Sequence, residues 1–303
     1  MTTALFLVYP ADRGSEKLTS LIRCKQYIKA SEVNNPSFKQ PYAAASYYRY
    51  RMGYAASWSE CNSVAVADVA QCGIACSYCF CPQAATEPSR ILTPEDLYRE
   101  FNQADEVAAS AVWRLSGGEP LLFPDFVADF FNIARTRRDA PYLKLSTNLL
   151  GAVGPLPHVM HALAYDGIGV IGCFKGLCGR YFEATQEHPV DGTRLLDRQI
   201  ERARELVDAG VEVFFRIIAL APPEESIEDV ERETITFIAR LRHEVDMAAP
   251  LRTEVVRLKR YAWQRHWHSL VDVSAIWEKV MAQFYEPLER WGPTNLIAWR
   301  GRA

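Results

Sequence analysis

Hydrophobic positions along the chain follow two rhythms in turn. Ser63 to Ala70 alternates with a period of two and is rich in β-branched residues, which predicts a strand with two unlike faces. Further short apolar runs predict strands at Ala111–Leu115, Tyr142–Ser146, Ile168–Cys173, Val211–Ala219 and Thr253–Leu258. Between them, apolar residues recur at three- and four-residue spacing. That pattern predicts helices from Thr93 to about Val107, from Pro124 to Arg137, Leu156 to Tyr165, Leu195 to Ala209, Ser226 to His243 and Ala275 to Arg290. Their ends carry the expected signals. Thr93-Pro94-Glu95-Asp96 offers a cap, a first-turn proline and acids near the positive end of the dipole, and Gly210 closes the helix before it. The charges from Arg194 to Glu205 read as an exposed helix face.

Six strands alternating with helices imply parallel pairing with right-handed crossovers. The regular spacing suits a barrel or partial barrel better than a doubly wound sheet. Residues 1–60 read as an N-terminal extension packed on the barrel, 61–260 as the core domain and 261–303 as a C-terminal helical extension. In the first of these, Phe6–Tyr9 suits a short strand and Glu16–Ala30 a helix, broken at Asn34-Asn35-Pro36. Tyr47-Tyr48-Arg49-Tyr50-Arg51 has two readings, a grip on a phosphate or carboxylate, or rings packed on the barrel with arginines in solvent.

At 303 residues and 49% hydrophobic, the chain has material for a sizeable core. A net charge of −3 argues against a chain-wide basic surface for nucleic acid. No stretch is apolar enough for a membrane helix, and the N-terminal apolar run lacks the flanks of a signal peptide, so a cytoplasmic protein is expected. Four of the eight cysteines fall between Cys72 and Cys81, which reads as metal binding in a reducing compartment.

Those cysteines carry the chemistry. Cys72, Cys76 and Cys79 sit four and then three residues apart in the loop after the first strand of the core. Soft thiolates select iron–sulfur or zinc. Three thiolates on a four-iron cube leave one iron open to a small molecule. The competing reading is a structural zinc site with Cys81 or Cys61 as the fourth ligand. Parallel barrels put chemistry at the C-terminal strand ends, and further suggestive segments lie there. Gly117-Gly118-Glu119-Pro120 offers close backbone approach to a ligand and a carboxylate able to pair with an ammonium. Ser146-Thr147-Asn148 offers hydroxyl and amide groups, with helix or turn capping as the alternative. Arg216, in the fifth strand, needs an anionic partner, either a ligand acid or a core Asp or Glu.

The C-x-x-x-C-x-x-C spacing, with an aromatic residue just before the last cysteine and Gly-Gly-Glu-Pro one βα unit later, resembles the radical S-adenosylmethionine (radical SAM) superfamily. The resemblance implies a partial (β/α)6 barrel. It implies a 4Fe–4S cluster on Cys72, Cys76 and Cys79 whose open iron chelates SAM, and an electron donor such as flavodoxin or ferredoxin. Reductive cleavage of SAM then gives a 5′-deoxyadenosyl radical that abstracts hydrogen from a substrate. It places Tyr78 near the adenine, Gly117, Gly118 and Glu119 near the methionine amino group, and Ser146 and Asn148 near the ribose or carboxylate. Here the family's T-N-G-like segment reads Thr147-Asn148-Leu149, with the glycine delayed to Gly151. Cys173-Phe174-Lys175-Gly176 resembles an S-x-K-G-like segment of branches related to glycyl-radical activating enzymes, with Cys173 in place of serine. A thiol there is either a hydrogen-atom donor or a small buried hydrophobe.

Cys173 and Cys178 do not match the cysteine-rich segment of branches with auxiliary clusters, so a single cluster is expected. His266 and His268 have no nearby third ligand and read as packed or solvated. A small metabolite is the expected substrate. Peptide or protein modification of the glycyl-radical activating type is the alternative, and a zinc-stabilised interaction protein is the alternative of another class.

Overall fold

The computed structural model describes residues 4–7, 44–45, 48–53, 64–79, 89–103, 111–137, 141–151, 154–256 and 269–284. The expected helix at Glu16–Ala30 and the histidines 266 and 268 lie outside them, as do Cys61 and Cys81. The strands are β1 (Ala4–Leu7), β2 (Val64–Val69), β3 (Ser89–Leu92), β4 (Val112–Gly117), β5 (Tyr142–Thr147), β6 (Ile168–Phe174), β7 (Glu212–Ile217), β8 (Leu220–Ala221), β9 (Thr253–Val255) and β10 (Val271–Asp272). The helices are α1 (Pro94–Gln103), α2 (Pro124–Ala134), α3 (Pro157–Leu163), α4 (Gly179–Ala184), α5 (Gly192–Asp208), α6 (Ile227–Arg240) and α7 (Ser274–Phe284).

One eight-stranded sheet runs β3-β1-β2-β4-β5-β6-β7-β9. Its six strands from β2 to β9 are parallel neighbours, and these are the six read from the sequence. Helices connect most of them, giving the α/β partial barrel. β1 adds an antiparallel strand beside β2, and β3 pairs antiparallel beyond it. The N-terminal segment therefore contributes a strand to the sheet itself.

Strand alternation gives the sheet two characters. Ala65 and Val69, Trp113 and Leu115, Leu143 and Leu145, Val213 and Phe215 join the apolar core with the helices. Phe101 of α1 stacks on Trp113 with ring centroids 4.8 Å apart, and Phe130 of α2 closes on Phe101 at 5.8 Å. Each such side chain, fully buried, contributes about 1.5–3 kcal/mol. The alternate positions are more polar: Asp68, Arg114, Lys144, Ser146, Cys173, Arg216 and Glu254. Register places Arg114 beside Lys144, Cys173 beside Arg216, and Arg216 beside Glu254.

Capping explains where the helices begin. Thr93 Oγ1 accepts from Asp96 N, and Asp96 Oδ2 accepts from Thr93 N, a reciprocal box. Asp191 accepts from Arg194 N, so α5 begins one turn before the expected Leu195. Ser226 caps α6 through Asp229 N, and α6 passes at Leu241–Val245 into a wider π turn. Helix α4 and the β8–β10 ribbon were not read from the sequence, because six residues and two-residue strands carry too little periodicity.

Tyr48 packs edge-on against Tyr142 at the start of β5, and Arg51 pairs with exposed Asp166 just before β6. These contacts lie at the N-terminal ends of the parallel strands. The packing reading of this aromatic–basic segment is the one the geometry supports, and it stands at the opposite end of the sheet from the cysteine loop.

Candidate functional site

The cysteine loop leaves the C-terminal end of β2 and is docked onto the chain that follows α4. Ser77 N donates to Thr185 O at 2.8 Å and Glu187 N to Ala75 O at 2.8 Å, on either side of a bridge between Cys76 and Gln186. Inside the loop, Cys79 N donates to Cys76 O at 3.0 Å. Two carboxamides reach the thiols. Gln186 Nε2 lies 3.7 Å from Cys76 Sγ, and Asn148 Nδ2 lies 3.5 Å from Cys72 Sγ. Cys72 is exposed, while Cys76 and Cys79 are half-buried. Although the residue is exposed, the protein packed around its sulfur pushes the Cys72 thiol up, against a backbone hydrogen bond at Ile74 that lowers it.

Lys175, at the end of β6, is the cation among these sulfurs. Burial alone would lower its pKa. The thiols of Cys76, Cys173, Cys72 and Cys79 outweigh that and raise it. Its ammonium also lies 5.9 Å from the centre of the Tyr78 ring.

The Gly-Gly-Glu turn is bonded closely into the protein. Gly117 has φ +90°, and a Cβ on Gly118 would stand 2.0 Å from Gln71 O. Gly118 N donates to Val69 O and Glu119 N to Gln71 O, at 2.7 and 2.6 Å. The close approach these glycines allow is therefore to the chain entering the cysteine loop. Glu119, read from the sequence as a carboxylate able to pair with an ammonium, is fully buried, and its carboxylate is held by the protein. Oε1 accepts from Leu121 N at 2.9 Å and from Thr147 Oγ1 at 2.6 Å, and Oε2 accepts from Asn148 N at 2.5 Å. Burial raises its pKa against these three bonds. It ties the end of β4 to the end of β5.

Gln199, buried on α5, completes this bracing. Its Nε2 donates to the carbonyls of Asn148 and Cys173, and its Oε1 accepts from Lys175 N. Leu149, where the family's glycine is usual, takes φ +66°. It is buried, and its methyls lie where a Cβ on Gly172 would meet them at 3.0 Å. Gly151 is needed for a different reason, since a Cβ there would stand 2.4 Å from Leu121 O. A left-handed leucine costs about 1–2 kcal/mol relative to the right-handed region. Both Leu149→Ala and Leu149→Gly lose the buried side chain, at about 2–5 kcal/mol for the alanine change, but only glycine relieves the strain. Denaturant titration is expected to find Leu149→Gly more stable than Leu149→Ala by about 0.5–1 kcal/mol, the reverse of the usual order, with both below the parent.

The remaining expected site residues divide. Cys173 is half-buried on β6, near Lys175 and Tyr78. Tyr78 is fully buried against Ile218 and Leu220 with Cys76 at its edge, so its ring is covered by the protein. Burial raises its hydroxyl pKa well above the ordinary value. Ser146 Oγ lies 2.9 Å from Arg114 Nε, below the mouth. Arg216 is buried beside Cys173, with Glu254 in register on its other side. Gln186, Gln199 and Arg114 were not singled out in the sequence. Each acts across 26 or more residues of separation in the bonds cited, which no local pattern encodes.

Among the described residues, no three His, Cys, Asp or Glu side chains converge closely enough to hold a single metal ion. The three thiols instead share one short loop within electrostatic reach of the Lys175 ammonium, and a donor set of three soft thiolates fits a multi-iron group. Nitrogen donors from two carboxamides stand behind two of the sulfurs.

The three thiols stand at the C-terminal end of the parallel strands, where barrels of this kind carry their chemistry. Residues 69–165 match the family model of the radical SAM superfamily. Members of the superfamily bind a 4Fe–4S cluster and SAM. Similar solved structures include Streptococcus suis SuiB bound to S-adenosylmethionine, at 16% identity over 73% of this chain and 46% of that one, TM-score 0.48. They also include anSMEcpe with bound AdoMet, at 13% identity over 75% and 57%, TM-score 0.49. A third is the cobalamin-dependent SAM radical enzyme OxsB with aqua-cobalamin bound, at 9% identity over 67% and 29%, TM-score 0.43. The chain spans about half the length of the SuiB structures it matches. No curated protein matches. Among the described residues, no helix is long and apolar enough to cross a membrane.

Proposed function

We propose that the chain holds a 4Fe–4S cluster on Cys72, Cys76 and Cys79, cleaves SAM reductively there, and takes hydrogen from a small-metabolite substrate. The observation that carries this reading is the cysteine loop held at the C-terminal end of β2, with the Asn148 and Gln186 amides directed at the Cys72 and Cys76 sulfurs. The cluster, when bound, supplies one electron to the SAM sulfonium, on loan from a donor such as flavodoxin or ferredoxin. The protein's own contributions are placement and charge. Lys175 offsets the negative charge of the thiolates. Glu119 and Gln199 fix the ends of β4, β5 and β6 around the site, so that groups at the mouth hold one geometry. The SAM amino group is assigned to the Gly117–Glu119 turn, and the ribose or carboxylate to the Ser146–Asn148 strand end. Cys173, half-buried near the C-terminal end of β6, is the candidate hydrogen-atom donor to a substrate radical.

Support for a small polar substrate comes from the alternate face of the sheet, which carries Asp68, Arg114 and Ser146 and, in register beside Cys173, Arg216 and Glu254. A small molecule with several polar groups suits that lining. The test is anaerobic reconstitution, then reduction with SAM present and an assay for 5′-deoxyadenosine. A brown protein with absorbance near roughly 400 nm and about four irons per chain is expected. A dialysable fraction of a cell extract should stimulate 5′-deoxyadenosine formation. Stimulation by the retained fraction alone would replace the small metabolite with a peptide or protein. A colourless, iron-free chain after reconstitution removes the proposal.

A further inference from the structure

The two carboxamides behind the cysteine loop come from different parts of the chain and each meets a different sulfur. Asn148 stands at the end of β5, and its Nδ2 lies 3.5 Å from Cys72 Sγ. Gln186 stands after α4, and its Nε2 lies 3.7 Å from Cys76 Sγ. These are ordinary lengths for an N–H donated to sulfur, an atom larger than oxygen. Neither side chain is there by accident of rotamer. Asn148 Oδ1 accepts from Leu150 N at 2.9 Å, its backbone N–H is held by Glu119, and its carbonyl is held by Gln199. Gln186 Nε2 also donates to Thr185 Oγ1 at 3.0 Å, while its backbone neighbours Thr185 and Glu187 make the two main-chain bonds to the loop. Both donors are thus fixed by bonds that do not depend on the thiols.

We propose that Gln186 and Asn148 are positioning residues that donate one N–H each to the Cys76 and Cys72 thiolates and thereby raise the reduction potential of the bound cluster. This rests on the cluster assignment above. The physical basis is charge. Reduction adds one electron to a cluster whose ligand sulfurs already carry negative charge. A donated N–H stabilises the more negative, reduced state more than the oxidised one. Outer-layer donors of this kind orient ligands and tune the metal in other sites. In this chain the effect has a purpose, because a cluster too hard to reduce would receive no electron from a weak biological donor.

The test compares Gln186→Glu, Gln186→Leu and Asn148→Asp with the parent, all anaerobically reconstituted. The readout is the midpoint potential of the cluster, taken by redox titration with electron paramagnetic resonance and without SAM or substrate. Asn148→Asp keeps the acceptor for Leu150 N and removes the donor, so its effect on the loop is small. Each loss of a donor is expected to raise the oxidised-to-reduced ratio at a fixed poise by roughly tenfold, about 59 mV for a one-electron couple. Gln186→Glu is expected to shift further than Gln186→Leu, because it sets a carboxylate beside a thiolate. Iron-loaded variants whose potentials equal the parent's overturn the inference and leave the cluster assignment standing. If Gln186→Glu takes up no iron, the leucine and Asn148 variants carry the test. A set in which the parent loads and no variant does overturns it too, since the carboxamides would then assemble the site without tuning it. A parent chain that binds no iron overturns the proposed function, and this inference with it.

Discussion

Cys76→Ala is expected to abolish SAM cleavage while leaving the folded chain nearly as stable as the parent. The two halves of that result have separate causes. The main-chain bonds that shape the loop do not use the Cys76 side chain: Cys79 N donates to the residue-76 carbonyl, and Ser77 and Ala75 bond to Thr185 and Glu187. The thiol is half-buried at the edge of a small cluster with Tyr78, Ile218 and Leu220. Its removal costs about 1 kcal/mol or less of apolar contact. As a ligand, however, it is one of three. Changes behind a ligand cost a metal site about 10–100-fold, and loss of the ligand itself exceeds that. Iron per chain should fall from about four to below about one, and 5′-deoxyadenosine formation by more than about a hundredfold. The matching measurements are iron content, product formation, and a denaturation curve of the iron-free chain. Undiminished cleavage would remove Cys76 from the ligand set.

The architecture was legible in the sequence because it repeats a local signal. Six apolar runs, each followed by a turn and a helical period, gave the six parallel strands in the right order. Thr93, Ser226 and Gly210 marked helix ends through bonds or backbone angles that span a few residues. The cysteine spacing was legible for the same reason. What the sequence withheld is the set of partners that cross the fold. Glu119 was read as a carboxylate able to pair with an ammonium, and the use of its acceptor oxygens by donors 28 and 29 residues away was not visible. Gln186 sits in a stretch with no motif, 110 residues from the sulfur it meets. Gln199 lies on an amphipathic helix and looks like any polar residue there. The bonds that shape the mouth are set by the strand order of the sheet, which brings the ends of β4, β5 and β6 together whatever their distance in sequence.

A common device emerges at those ends. Glu119 joins β4 to β5, Gln199 joins β5 to β6 and to Lys175, and Gln186 joins the cysteine loop to the segment after α4. Each is a buried or half-buried polar side chain spending its capacity on backbone groups or sulfur. In a low-dielectric interior such bonds are strong when complete and costly when broken. That gives the mouth one well-defined geometry. It also means that a change at any brace reaches the thiols through one or two bonds.

Glu119 provides the sharpest measure of that coupling. Glu119→Ala leaves three donors without their acceptor: Leu121 N, Thr147 Oγ1 and Asn148 N. Each unsatisfied buried group costs about 1–3 kcal/mol, and some relaxation toward water is available at the mouth, so a net loss of about 3–5 kcal/mol is expected. Glu119→Gln is the gentler change. Its carbonyl keeps the Leu121 and Thr147 bonds, but its NH2 group faces the Asn148 N–H, donor against donor. Part of that loss is offset, because burial already disfavours the charged carboxylate and raises its pKa. The glutamine variant should therefore lose about 1–3 kcal/mol. The same raised pKa fixes the sign of a pH effect. The unfolded chain releases this proton at the ordinary carboxyl value and the folded chain releases it higher. The contribution of Glu119 to stability is therefore fully present below the unfolded value and is lost as pH rises through the folded one. Glu119→Gln should remove that component from the stability–pH curve. The measurement is urea denaturation of the iron-free chain, where an unchanged slope and a lower midpoint report lost stability. The order expected is parent, then glutamine, then alanine. Should both variants unfold at the parent's midpoint while SAM binding alone collapses, Glu119 is a direct ligand of the SAM amino group and its bracing role is wrong.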